Sequence, residues 1–278
     1  MKIVRILKWL ILGVITVFIL SIVISSIFPG KVRIVDQIRL FAQRPAIKWL
    51  GKLKVDELPA YDEQDSLHKL DISYQELKPY LHSIPSGSIF FTRTRNYAIT
   101  EFIPGMWKHA GIYLGTKEQV ADMFGRESRV YRALDSLMDD TEIYVLDSEA
   151  DGVRVHPFID MSNMRDDSYL TNLAVFSMNV TLESKRLFLE EALKFLGREY
   201  DYDWLTEENN TIYCSELIYH SLKVIGMDIE KRTETLSRVV ITPDDLFEFI
   251  SGKQKNHGEY TVKINLFKKD GELKNLDN

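Results

Sequence analysis

The stretch Tyr213-Cys214-Ser215-Glu216-Leu217 contains the only cysteine of the 278-residue chain. Apolar residues follow that cysteine at the spacing of one helix face, and a glycine stands where such a helix would end: Leu217, Ile218, Leu222, Ile225 and Gly226. A thiol in the first turn of a helix lies near unpaired backbone N–H groups, whose partial positive charge favours the thiolate. Position alone leaves two interpretations open, an activated nucleophile and a buried structural cysteine.

Charge is distributed unevenly along the chain. The formal net charge is −6, but residues 1–56 contain ten basic and two acidic residues, so the remainder is strongly acidic. An acidic globular part is a poor nucleic-acid binder, because phosphate contacts require clustered Lys and Arg. A single cysteine excludes an intramolecular disulfide and a cysteine-based zinc site, and no other ligand spacing is present. We therefore expect no metal, no cofactor and no nucleic-acid partner.

Residues 1–30 are predicted to form a transmembrane anchor. From Trp9 to Phe28 the chain is uncharged and mostly apolar, and about 20 residues at 1.5 Å each span one hydrocarbon core of about 30 Å. A signal peptide is the alternative, but the run is long for one and lacks a small-x-small cleavage site. The numbers of basic residues before and after the predicted span do not indicate which end faces the cytoplasm. Because a short amino tail usually stays in the cytoplasm, we expect a single-pass protein with an extracytoplasmic catalytic domain.

Residues 31–60 are predicted to be a basic amphipathic neck and linker. Apolar side chains such as Ile38 and Phe41 alternate there with basic ones such as Arg39 and Arg44. This composition beside a membrane span is typical of a helix on an anionic lipid surface, so membrane lipids are an expected partner. A plain helical neck packed on the domain is the alternative. The globular domain then covers residues 61–278.

The globular part is predicted to be α+β, an antiparallel sheet with flanking helices. Strands are expected at residues 89–93, 109–115, 173–176 and 260–267, the last at a sheet edge, and a hairpin at 143–147 and 153–155 turns at Asp151-Gly152. Helix-start signals occur at Ser73, Thr181 and Thr242-Pro243. Pro79 is expected to limit the first helix, residues 117–141 stay unassigned, and the tail 268–278 is expected to be frayed.

Five short motifs follow one another in the globular part: Ser86-Gly87-Ser88-Ile89-Phe90-Phe91; Trp107-Lys108-His109-Ala110-Gly111-Ile112-Tyr113; Val145-Leu146-Asp147-Ser148-Glu149-Ala150 with Gly152-Val153; Gly197-Arg198-Glu199-Tyr200-Asp201; and the Cys214 stretch. Together, over roughly residues 84–250, they resemble the circularly permuted papain-fold cysteine hydrolases, the YiiX/YebB-like branch of the NlpC-type peptidases. The resemblance implies a permuted papain-like domain in which the histidine precedes the cysteine.

The resemblance also implies a catalytic triad. It makes Cys214 the nucleophile, His109 the base, and an acid on the next strand the group that orients the base. Glu149, followed by Ala150 and a Gly-Val pair, fits the acid position best, and Asp147 on the same strand face is its rival. Among the six histidines, His156 is the alternative base.

The expected chemistry is acyl transfer through a thioester. The oxyanion would be met by the Cys214 backbone N–H, with Tyr200 either a second donor or a core tyrosine. The predicted function is a membrane-anchored cysteine amidase or peptidase that cleaves a peptide, cell-wall peptide or other amide. Two alternatives remain: a lipid acyltransferase or thioesterase at the membrane surface, and an inactive papain-like binding module.

Overall fold

The computed structural model describes residues 9, 13, 15–24, 70–95, 103–202, 211–235 and 238–276. The chain divides into two units, Met1–Leu50 and Gly51–Asn278. In the first unit, residues 9, 13 and 15–24 are helical and expose large apolar side chains such as Val17 and Leu20. No helix built from the described residues is both long enough and apolar enough to cross a membrane. The predicted neck, and both predicted domain limits, lie outside the described residues.

An antiparallel sheet is the main element of the second unit. Its strands within the described ranges are β1 (Ser88–Thr94), β2 (His109–Gly115), β3 (Tyr144–Glu149), β4 (Gly152–Pro157), β5 (Leu170–Met178), β8 (Tyr260–Lys269) and β9 (Glu272–Asn275). They lie in the order β4-β3-β2-β1-β5-β8-β9, and each neighbouring pair is antiparallel. A separate pair consists of β6 (Thr233–Thr235) and β7 (Arg238–Val240).

Helices accompany the sheet: α1 (Tyr74–Leu81), α2 (Lys117–Phe124), α3 (Arg129–Leu134), a 3₁₀ helix (Phe158–Asn163), α4 (Leu182–Leu193), α5 (Cys214–Lys223) and α6 (Pro243–His257). The predicted helix starts are confirmed. Ser73 and Thr242 form capping boxes, and the Thr181 side chain accepts from Ser184. The predicted α+β architecture, a large antiparallel sheet with flanking helices, is therefore present.

Both faces of the sheet are buried. Strand side chains alternate between the faces, so Ile89 and Phe91 pack into one apolar core while Phe90 between them packs into the other. The first core includes α4, α5 and α6 residues such as Leu217, and the second includes α1 residues such as Leu77. Burial on both faces explains why these strands read as continuous apolar runs rather than as alternating ones.

Three local predictions differ from the structure. β8 is not an edge strand, because β9, formed by the tail that was expected to be frayed, pairs with it. The turn between them is Asp270-Gly271, with positive φ at both residues, a signal for a two-residue hairpin that the sequence contains. Helix α1 continues through Pro79 to Leu81. In the β3–β4 hairpin, Glu149 pairs with Gly152, so the turn is Ala150-Asp151.

Candidate active site

Cys214 is the first residue of α5, and Tyr213 in extended conformation precedes it as the N-cap. The thiol is buried, and α5 is anchored by Leu217, Ile218 and Leu222, which are fully buried. The His109 ring and the Ala110 backbone N–H are positioned to hydrogen-bond with the Cys214 sulfur, and the Ser215 hydroxyl lies 3.8 Å from it. Burial alone would raise the pKa of the thiol, but the hydrogen bond and the charge of His109 outweigh it and lower that pKa.

His109 opens β2 and contacts both the sulfur and an acid. Its Nε2 lies 2.9 Å from Oδ2 of Asp147 on the neighbouring strand β3, which leaves Nδ1 as the nitrogen available to the sulfur. Burial alone would lower the pKa of the imidazole. The hydrogen bonds with Asp147 and Cys214 reverse that effect and raise the pKa well above its ordinary value. The raised pKa of the His109 ring and the lowered pKa of the Cys214 thiol both favour an imidazolium beside a thiolate.

The acid in contact with His109 is Asp147. The sequence favours Glu149 for this position, but in the structure the Glu149 carboxylate is paired with another side chain. The Glu149 carboxylate accepts a hydrogen bond from Arg154 at 2.7 Å across the β3–β4 turn, and its side chain is one-third exposed. Asp147 is fully buried. The two acids share a strand face, and Asp147 lies two residues farther from the β3–β4 turn than Glu149.

Gly111 on β2 makes room for Asp147. A Cβ at this glycine would lie 2.8 Å from the Asp147 Cβ and would overlap the ring of Phe90. Glycine is therefore needed at position 111, because a side chain there would keep the Asp147 carboxylate from reaching His109.

His156 on β4 contacts the same carboxylate from the other side. Its Nε2 lies 3.0 Å from Asp147 Oδ1, and its Nδ1 lies 3.2 Å from the carbonyl oxygen of Pro157. Both partners accept hydrogen bonds, so both ring nitrogens donate and the ring is an imidazolium. Burial alone would lower the pKa of His156, but the charge of Asp147 raises it. Burial of Asp147 works against its ionisation, yet the two histidines hold its pKa well below the ordinary range.

In the sequence analysis, His156 is only an alternative base. The register of the β3–β4 hairpin is the signal that places His156 near Asp147. A two-residue turn at 150–151 sets His156 opposite Val145, diagonal to Asp147, and diagonal neighbours on one face of an antiparallel pair are within side-chain reach.

The β3–β4 hairpin is tied to the segment that precedes the nucleophile. Ser148 Oγ donates to the carbonyl oxygen of Ile212 at 2.7 Å, and the Val153 N–H donates to that of Arg198 at 2.9 Å. Gly152 has a φ of +93°, and a Cβ there would overlap the Arg198 carbonyl. These contacts connect β3 and β4 to the segment that leads into α5.

A cleft lies beside Cys214, which is one of its lining residues. Its apolar wall consists of Ile103, Pro104, Val240, Ile241 and Pro243, and its remaining described lining residues are Tyr200, Tyr213, Cys214, Ser215 and Thr242. Tyr200, which the sequence analysis left open as a second oxyanion donor or a core tyrosine, lines the same cleft as Cys214, and its ring lies 4.9 Å from that of Tyr202. The sequence did not single out the segments at residues 103–104 and 240–243.

Three side chains of the site lie close enough together to share a metal ion. One donor atom each of His109, Asp147 and Glu149 lies within 4.8 Å of the others. His109 and Asp147 are, however, hydrogen-bonded to each other, and Glu149 is paired with Arg154. A cation here would have to break these contacts beside a guanidinium, so the donor set fits a triad better than a metal site.

Comparison with known proteins shows what the chain is similar to. The model of a family described as permuted papain-like amidase enzymes, YaeF/YiiX, C92 family, matches residues 83–277. Among solved structures, the chain is similar to one described as the metalloprotein yiiX from Escherichia coli O157:H7, with 14% identity and a TM-score of 0.43 over 64% of this chain and 95% of that one. No curated protein matches the chain.

Proposed function

Because the chain belongs to the family of permuted papain-like amidases and is an amidase- or peptidase-type hydrolase, we propose that it cleaves an amide through a Cys214–His109–Asp147 triad. One observation supports this assignment above all others. The His109 ring contacts the Cys214 sulfur and, at 2.9 Å, the Asp147 carboxylate at the same time. This is the nucleophile–base–orienting acid arrangement that thiol hydrolysis requires.

The reaction begins from the thiolate–imidazolium pair. The sulfur attacks the amide carbonyl carbon, and the oxyanion receives hydrogen bonds from the Cys214 backbone N–H and from Tyr200. His109 donates its proton to the leaving nitrogen, the C–N bond breaks, and a thioester remains on Cys214. Neutral His109 then takes a proton from water, the resulting hydroxide adds to the thioester, and the acid leaves as the thiolate re-forms. Asp147 stabilises the imidazolium at the first stage and at the last.

The single cysteine makes the test direct. We expect the rate of alkylation of the folded protein by iodoacetamide to follow a thiol pKa below the ordinary value of about 8.5. His109→Asn should raise that pKa, whereas His82→Asn, at an exposed histidine, should leave it unchanged. An amide substrate quenched in acid should add the mass of its acyl group to wild-type protein. If the thiol titrates like an unfolded one and no acyl adduct forms with any amide, the protein is an inactive binding module.

We also propose that residues 1–30 anchor the hydrolase domain, residues 61–278, in a membrane. Support comes from the uncharged run between Trp9 and Phe28 and from the exposure of its apolar side chains, Val17 and Leu20 among them. Val17→Arg with Leu20→Arg should release the full chain into the soluble fraction on carbonate extraction, since each arginine costs about 2.5–3.5 kcal/mol in the middle of a span. Leu276→Arg, at an exposed leucine, is the control. Unchanged extraction of the double variant would contradict the anchor.

The neck and the side of the membrane are part of the same proposal. Residues 31–60 would hold the domain at anionic lipid, so replacing Arg39, Arg44, Lys48 and Lys52 by glutamine should weaken binding to phosphatidylserine vesicles, by about 1 kcal/mol per charge. Equal binding would exclude a lipid-contacting neck. An alkaline phosphatase fused to the carboxyl end should be active in cells if the catalytic domain is extracytoplasmic, and inactive if it faces the cytoplasm.

A further inference from the structure

We infer that the cleft beside Cys214 binds the acyl part of the substrate, and that this acyl part is apolar and uncharged. The inference rests on the proposed function and narrows its substrate class to amides of aliphatic or aromatic acids. Two observations carry it: the chemistry of the cleft walls and the position of the cleft relative to His109.

The described walls of the cleft contain no charged side chain. Five of the ten described lining residues are aliphatic residues or prolines: Ile103, Pro104, Val240, Ile241 and Pro243. An acyl group with its own carboxylate would lose hydration here without meeting a counter-ion, which is costly.

Two of the hydroxyl groups in the lining are already used inside the protein. The Tyr213 hydroxyl accepts from the Ile241 N–H at 3.2 Å. The Thr242 hydroxyl donates to the Asp245 carboxylate at 2.9 Å and accepts from its N–H at 3.1 Å as the cap of α6. Both groups hold the wall in shape, and their bonding leaves the cleft more apolar than its composition suggests.

The general acid does not line the cleft. Cys214 and Ser215 line it, whereas His109 and Asp147 are not among its described lining residues. The nitrogen that leaves must be near the His109 ring to receive its proton, so the amine part lies on the side of that ring. The group that stays on the sulfur is the acyl group, and the cleft is the space open to it.

Hydrogen bonds connect two of the segments that form the cleft walls. The Asp244 carboxylate, in the first turn of α6, accepts from the N–H groups of Met106 and Trp107 at 2.8 and 2.7 Å. It thereby connects the segment after Pro104 to α6, the helix that begins at Pro243.

The experiment uses the full chain and amides of 7-amino-4-methylcoumarin with acyl groups from acetyl to decanoyl. We expect kcat/KM to rise about fourfold for each added methylene, the factor for burying one CH₂, until the cleft is full. Pentanoyl and glutaryl amides form a matched pair that differs by a terminal carboxylate. We expect at least a tenfold preference for pentanoyl.

Two neighbouring valines provide the matched variants. Val240 lines the cleft, whereas Val239 is 59% exposed and does not line it. Val240→Phe should move the optimum to a chain shorter by two or more carbons, and Val239→Phe should leave it in place. Should Val240→Phe fail to fold, Val240→Ala should move the optimum to longer chains.

The outcomes separate this inference from the proposed function. Acyl adducts on Cys214 with no dependence on chain length, or with glutaryl preferred, would overturn the apolar acyl site and leave the thiol mechanism standing. An optimum that Val240 variants do not move would also overturn it. If no member of the series acylates Cys214, and alkylation shows an ordinary thiol, the proposed function fails and the inference with it.

Discussion

Replacing Asp147 by asparagine tests the triad most sharply, because the side chain keeps its shape and loses one acceptor. In the native site both carboxylate oxygens accept, Oδ2 from His109 and Oδ1 from His156, at 2.9 and 3.0 Å. Asparagine has one oxygen and one NH₂ group. One of the two histidines must therefore face a donor and give up its hydrogen bond.

The size of the effect follows from that lost contact. A hydrogen bond to a charged group contributes about 1.5–3 kcal/mol, so kcat/KM should fall by about 10- to 150-fold if His109 loses its partner in the transition state. The effect should be smaller than in a serine triad, where the corresponding change costs about 10⁴, because in the proposed mechanism the thiolate forms before the substrate binds. The pKa of His109 should also fall, since Asp147 is one of the groups that raise it.

The assay is kcat/KM for an amide substrate between pH 5 and 9, with unfolding midpoints to confirm that each variant is folded. Glu149→Gln is the matched control, on the same strand and strand face. It breaks a partly exposed pair with Arg154, and such a pair contributes about 0–1 kcal/mol, so activity should stay within about fivefold of wild type. A large loss in Glu149→Gln beside near-normal activity in Asp147→Asn would refute the assignment of Asp147.

Three further predictions follow from the same contacts. The pH profile of kcat/KM should be bell-shaped. Its acid limb should report the pKa of Cys214, below the ordinary thiol value of about 8.5, and its alkaline limb the pKa of His109, above about 6.5. A profile whose acid limb follows the histidine and whose alkaline limb follows the thiol would exclude the ion pair. Gly111→Ala should push Asp147 away from His109, with a loss of at least tenfold in kcat/KM and about 1–3 kcal/mol in unfolding free energy by denaturant titration. His156→Gln, which retains a donor and removes a charge, should move the acid limb to higher pH, as measured by the pH dependence of alkylation.

Much of the fold could be predicted, because the signals are local. The capping residues Ser73, Thr181 and Thr242 begin helices in the structure, and the apolar runs of β1 and β2 are strands. The differences lie where two local rules compete. Pro79 does not end α1, and the Asp270-Gly271 turn adds a strand to a tail whose composition is polar.

The choice between the two acids could not be made from the sequence. Asp147 and Glu149 are two positions apart, so the alternation of the strand places both on one face. What separates them is depth in the sheet and a partner across the turn, Arg154. Both depend on the register of β3 against β2 and β4, which is a tertiary property. The cleft could not be predicted from the sequence for the same reason, since its walls come from segments more than a hundred residues apart.

The second histidine gives the buried site a balanced charge. A thiolate on Cys214 and a carboxylate on Asp147 carry two negative charges, and the His109 imidazolium supplies one positive charge. Because both nitrogens of His156 face acceptors, that ring supplies the other. Without it, the resting ion pair would leave one net negative charge in a site where Cys214 and Asp147 are buried, and burial of an uncompensated charge is costly. The thiol would then keep its proton to higher pH, so His156 supports the nucleophile through Asp147, without contact between the ring and the substrate.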